Sequence, residues 1–199
     1  MSEESLDGFL AGVSNSVFSN SRKLLRILRE AYTYGVPAMM VKSMTDRLGA
    51  ASGDSFHLGT PDPSMRRIAS WIFTNVDDVD TITELVTKLW KRHGREDVKL
   101  AGLLMANLPS PPWQLFLSLL NEKEAIESLL EVIEEINRGG HAVPSLSSLQ
   151  IWIDRGGIYY QTVLLILHGK GSEVPDEVVL SAPPGGDIFE RIRNRLLLE

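Results

Sequence analysis

The chain has 199 residues, 43% of them apolar, with a mean hydropathy of −0.02 and a formal charge of −6; this is enough to bury a core without disulfides or metal. Cysteine is absent, which excludes disulfides, thiolate nucleophiles and cysteine metal sites and fits a reducing cytosol. No apolar run approaches the ~20 residues of a membrane span, and the acidic start Met1-Ser2-Glu3-Glu4-Ser5 is unlike a basic signal peptide, so a cytoplasmic protein without membrane contact is expected.

Pro and Gly punctuate the sequence into short segments whose apolar residues fall at helical spacing. Ser21 to Tyr34 carries Leu24, Leu25, Leu28, Ala31 and Tyr32 on one stripe and ends at Gly35, and Pro37 opens a segment toward Leu48. Gly49 to Pro63 is polar and Gly-rich, hence a loop. Pro63 to Asn75 places Ile68, Ala69, Ile72 and Phe73 on one face, with Asp62 as the expected N-cap. Asp80 to His93 follows with Ile82, Leu85, Val86, Leu89 and Trp90, and Glu96 to Leu108 with Leu100, Ala101, Leu103 and Leu104.

Beyond Pro109, Ser110-Pro111-Pro112 opens Trp113 to Leu120. Glu122 to Asn137 carries Ile126, Leu129, Leu130, Ile133 and Ile136 opposite a face that is nearly all Glu, and stops at Gly139-Gly140. Pro144 to Ile153 and Ile158 to His168 flank Asp154-Arg155-Gly156-Gly157. The second of these is rich in β-branched and aromatic residues, so strand competes with helix; helix is favoured because nothing else offers strand partners. Ser172 to Gly186 reads as a connector and Asp187 to Leu198 as a short charged helix.

The expectation is an all-α chain: one HEAT-like domain over residues 1–199, with an irregular N-terminal part (1–55) and a C-terminal connector and short helix (172–199). Short helices with one apolar stripe each cannot shield it alone, and stacked antiparallel pairs forming an α-solenoid are the usual solution. No period repeats cleanly, so an irregular bundle stays open.

Between Phe56 and Leu108 the order Leu58-Gly59, Pro63, Arg66-Arg67, Leu89-Trp90, Arg95-Glu96 and the apolar run Leu100 to Leu104 resembles the DNA alkylation-repair glycosylases, solenoids of HEAT-like helix pairs. A second echo is Trp152-Ile153 with Tyr159-Tyr160 and the run Val163 to Leu167. Taken singly, Trp90 as a core residue and Glu96 at a helix start need no family; their joint spacing is what the resemblance explains. It implies a fold of helix pairs, double-stranded DNA as partner and hydrolysis of the N-glycosidic bond of alkylated purines.

Such chemistry profits from a carboxylate near the developing oxocarbenium charge and from aromatic or cationic surfaces around the lesion. The resemblance places these roles on an Asp just after a Trp, on an Arg after the second aromatic turn, and on a later Trp. This sequence departs at each. Glu124 to Glu131 holds no aromatic, leaving Glu127 and Glu131 as catalytic candidates whose spacing is also that of a solvated helix face. Thr162 stands where the Arg belongs, and Trp152 is the last tryptophan, leaving Trp152, Tyr159 and Tyr160 as aromatic candidates. His57, His93, His141 and His168 lack companions at metal spacing, and the Gly pairs read as turns, so neither metal nor cofactor is expected.

All the excess acidity lies beyond residue 110. That weighs against strong nonspecific nucleic-acid binding, which needs a concentrated positive face, but leaves room for a local one. Lys88, Lys91, Arg92, Arg95 and Lys99, with Arg66 and Arg67, form the candidate DNA-binding group; Glu84, Glu96 and Asp97 would partly neutralise it as a solvated face. Three functions follow: a DNA-contacting, catalytically degenerate relative of the glycosylases; a protein-interaction scaffold using the acidic second half; or an active glycosylase with altered catalytic residues.

Overall fold

In a computed structural model of the chain, which describes residues 5–48, 55–122 and 124–198, all regular structure is helical: twelve α-helices and one 3-10 turn, with no strand among the described residues. None of these helices is long and apolar enough to cross a membrane. The chain separates into two compact units, up to Leu104 and from Met105 onward.

The first unit holds α1 (Leu6–Ala11), the 3-10 turn Asn15–Val17, α2 (Ser21–Tyr32), α3 (Ala38–Leu48), α4 (Asp62–Asn75), α5 (Val79–Arg92) and most of α6 (Arg95–Ala106). Among the described residues of 1–55, α2 and α3 lie where the apolar spacing placed the segments Ser21 to Tyr34 and Pro37 to Leu48, and of the expected Gly49 to Pro63 loop residues 49–54 lie outside the described residues. Asn20 caps α2 by accepting the Lys23 N–H (3.1 Å), and Leu24, Leu28, Ala31 and Tyr32 are buried, as their spacing demands. The whole apolar stripe of α5 is buried, and Leu100, Ala101, Leu103 and Leu104 of α6 are buried with it. Asp62 is the first residue of α4 and does not cap it; Pro61 occupies the cap. The Asp62 carboxylate instead takes Arg66 (2.7 Å) and Lys99 (3.0 Å).

The second unit holds α7 (Trp113–Leu119), α8 (Ile126–Arg138), α9 (Leu146–Arg155), α10 (Gly157–His168), α11 (Asp176–Leu180) and α12 (Asp187–Leu196). α10 packs against α8, α9 and α12, and every residue from Tyr159 to Leu167 is buried. Enclosure explains its composition: a helix surrounded by others needs no polar face, and tertiary packing overrides the strand preference of its β-branched residues. α8 starts at Ile126, four residues later than expected, and its Glu face is not wholly solvated, because Glu135 is buried against Arg138 (2.6 Å). The 172–186 connector contains α11. α12 buries Phe189 and Leu196 and packs on α8, α10 and α11, so it is an integral part of this core.

Candidate functional site

The most organised polar structure lies where α5 turns into α6. His93 ends α5 in the left-handed region (φ 54°), the only non-glycine residue with positive φ among the described residues. The reversal lets residues 55–60 run across the turn as a strap. Ser55 N–H donates to the His93 carbonyl (2.7 Å) and its hydroxyl to the Arg92 carbonyl (2.6 Å), while Arg95 N–H donates to the Phe56 carbonyl (2.8 Å). The buried Glu96 carboxylate then accepts three consecutive backbone N–H groups, from Leu58 and Gly59 at 2.8 Å and Thr60 at 3.3 Å, all on Oε1. Such a run of convergent amides is an anion nest, here filled by the protein's own side chain. Leu58-Gly59 and Arg95-Glu96, distant in sequence, are thus the two halves of one contact.

Beneath the strap a second carboxylate, Asp97, is fully buried. It receives the Arg92 guanidinium on both oxygens and the Tyr32 hydroxyl (3.0 Å), and Arg92 also donates to the Leu25 carbonyl (2.6 Å). Burial first, then the Asp97 charge, push the Tyr32 phenol well above its ordinary range, with Arg92 opposing. For Arg92, partial burial works against the charge, but hydrogen bonding to Asp97 outweighs it and raises the pKa, so the guanidinium stays charged.

This network sets α5 beside α2 and assembles a basic ridge. Lys88 reaches Ser21, Arg92 reaches Leu25, and Arg29 and Arg92 lie 4.5 and 5.6 Å from the centroid of the Phe56 ring. α2, which carries the exposed Arg22, Arg26 and Arg29, therefore lies beside α5, which carries Lys88, Lys91 and Arg92, with Arg95 following at the start of α6. Glu30 lies 4.0 Å from Arg26, Glu84 holds Lys88 and Asp97 holds Arg92; among the described residues no acid pairs with Arg22, Arg29 or Lys91. At the head of the ridge a cavity of about 460 Å³ opens between Ser19 to Arg22 and Thr81 to Leu85.

Of the sequence-derived basic group, then, Lys88, Lys91, Arg92 and Arg95 stand together. Arg66 and Lys99 share Asp62, Arg67 holds Asp7 (2.5 Å), and Lys99 is buried. Arg22, Arg26 and Arg29 were missed: their spacing marks a basic stripe on one helix, but only the fold brings that helix next to α5.

In the second unit, Trp152 and Tyr159 stack at 5.7 Å with planes 22° apart, and the Arg155 guanidinium lies 3.7 Å from the Tyr159 centroid. Trp152 Nε1 donates to Gln114 (3.3 Å). Tyr159 and Tyr160 are core residues whose hydroxyls donate to the carbonyls of Leu120 (3.0 Å) and Val178 (2.6 Å). Glu127 is exposed and Glu131 half-exposed on α8. No group of three or more His, Asp or Glu side chains suited to a metal occurs among the described residues. Comparison with protein families, curated proteins and solved structures finds no match to this chain.

Proposed function

We propose that the chain is a protein of HEAT-like helix pairs, a divergent relative of the DNA alkylation-repair glycosylases, that contacts the phosphate backbone of duplex DNA along α2 and α5 without excising a base. The observation that supports this most is the α2–α5 ridge, where among the described residues no acid side chain pairs with Arg22, Arg29 or Lys91. Phosphate contact needs such uncompensated cations on neighbouring elements; it does not need a positive molecule overall. The Leu58-Gly59 and Arg95-Glu96 contact supports the kinship, and the exposed position of Glu127 supports the loss of catalysis.

Binding of the full chain to a labelled duplex, followed by anisotropy across a salt series, tests the reading. Affinity should fall linearly on logarithmic axes, with a slope of about −0.9 for each phosphate neutralised, and Lys91→Glu should weaken it. Absent or salt-independent binding rejects the proposal. Arg92 is unsuitable for charge reversal, since its guanidinium is the counter-ion of a buried carboxylate.

A scaffold reading is favoured by a different observation. On α9 Ile151 is 70% exposed beside the half-buried Trp152 and the exposed Arg155, a composition common at the energetic centres of protein interfaces. Specific retention of one protein by the wild type, lost in Ile151→Asp, would support it.

A further inference from the structure

We infer that the strap from Ser55 to Thr60 is a positioning device for phosphate contact: Glu96 latches it, and its Phe56 ring fixes the Arg29 guanidinium at the surface, making Arg29 the principal contact of the ridge. This rests on the phosphate reading of α2 and α5.

Phe56 is 4% exposed and lies so close to the turn that a Cβ at Gly94 would stand 2.1 Å from its ring. The ring cannot shift toward the turn, and Glu96 holds Leu58, Gly59 and Thr60 by their amides. Two guanidinium groups approach this fixed ring, but they are not equivalent. Arg92 is spent on Asp97 and the Leu25 carbonyl, and Asp97 cancels the repulsion it would exert on its neighbour. Arg29 has no hydrogen bond or ion pair among the described residues, only the ring at 4.5 Å. A cation over an aromatic face makes no hydrogen bond there and so keeps its N–H donors available, and a planar guanidinium anchored in this way suits two phosphate oxygens at once. Arg26, by contrast, is exposed with only the 4.0 Å contact to Glu30 to orient it.

Duplex binding by full-length variants tests the device. Arg29→Ala should weaken binding by roughly tenfold and make the salt slope shallower by about one, while Arg26→Ala has a distinctly smaller effect. Phe56→Leu changes no charge and should weaken binding several-fold while the far-ultraviolet spectrum stays helical. Glu96→Gln removes a negative charge, so a simple field effect would tighten binding, whereas loss of the latch weakens it; if this variant unfolds, Phe56→Leu carries the decision. Equal losses in Arg29→Ala and Arg26→Ala, or tighter binding by folded Glu96→Gln, overturn the latch and leave the DNA reading standing. If the wild type does not bind duplex, the DNA reading falls. The latch is then decided by the Arg29 side-chain N–H resonance titrated with inorganic pyrophosphate. A shift that Phe56→Leu abolishes upholds it, and no shift in the wild type overturns it.

Discussion

Glycine 139 shows how narrow the tolerance of single positions is in this fold. A Cβ there would lie 2.0 Å from the Ala106 carbonyl oxygen, a backbone atom that cannot swing aside, whereas one on the adjacent Gly140 meets nothing but would sit at a φ of +78°. Gly140→Ala should therefore cost about 1 kcal/mol of backbone strain, and Gly139→Ala more, about 2–3 kcal/mol from forced displacement; urea unfolding of both variants orders the two effects. Tyr32 makes a second prediction at this scale. Its raised phenol pKa means that the stability linked to it is complete below about pH 10, the ordinary value. That stability is lost as pH climbs toward the folded-state value, because the unfolded chain releases a proton that the folded chain retains. Thermal melts above about pH 10 should fall more steeply in wild type than in Tyr32→Phe, and equal slopes would contradict the assignment.

At the scale of elements, the α5–α6 turn depends on charges that are useful only as a set. Asp97→Asn leaves Arg92 without its counter-ion in a site where that side chain is 22% exposed. The cost should be about 3 kcal/mol, the low end for a broken buried pair, since the Leu25 carbonyl still accepts from Arg92; denaturant unfolding measures it. α10 depends on enclosure instead. Leu164→Ala, at a fully buried site, should cost about 2–5 kcal/mol, while Ile158→Ala at its half-exposed start costs much less. Most helices could be placed from sequence because an apolar stripe on a short segment has one stable use, and the stripes of α2 and α5 are buried nearly as their spacing requires. The cap of α4 turns on the Asp62 carboxylate finding a distant partner in Lys99, and α11 offers its Val178 carbonyl to the Tyr160 hydroxyl; local pattern carries no record of either.

For the molecule as a whole, net charge is a poor guide to what its surface can do. The chain is acidic, yet the neighbouring helices α2 and α5 are rich in cations, and that ridge underlies the proposed DNA contact. If catalysis has been lost, incubation with alkylated DNA at high protein excess should release no methylated purine, and measurable release would restore an active-enzyme reading with a catalytic group other than a Trp-Asp pair. Lys91→Glu should weaken duplex binding and reduce its salt slope by about one, against little change for Glu127→Gln.

The amino-acid sequence by itself determined that this protein is helical and largely where its helices lie, because periodic burial and Pro/Gly punctuation are local properties. It also supplied Leu58-Gly59 and Arg95-Glu96 as a pair worth noticing, without a reason for their pairing. Tertiary structure alone decided which cations remain available, since an ion pair such as Lys99 with Asp62 joins residues far apart in the chain. It likewise decided that Arg29, unremarkable in the sequence, shares an aromatic ring with Arg92, because side chains from α2, the strap and α5 meet only when the core that holds those segments together has formed.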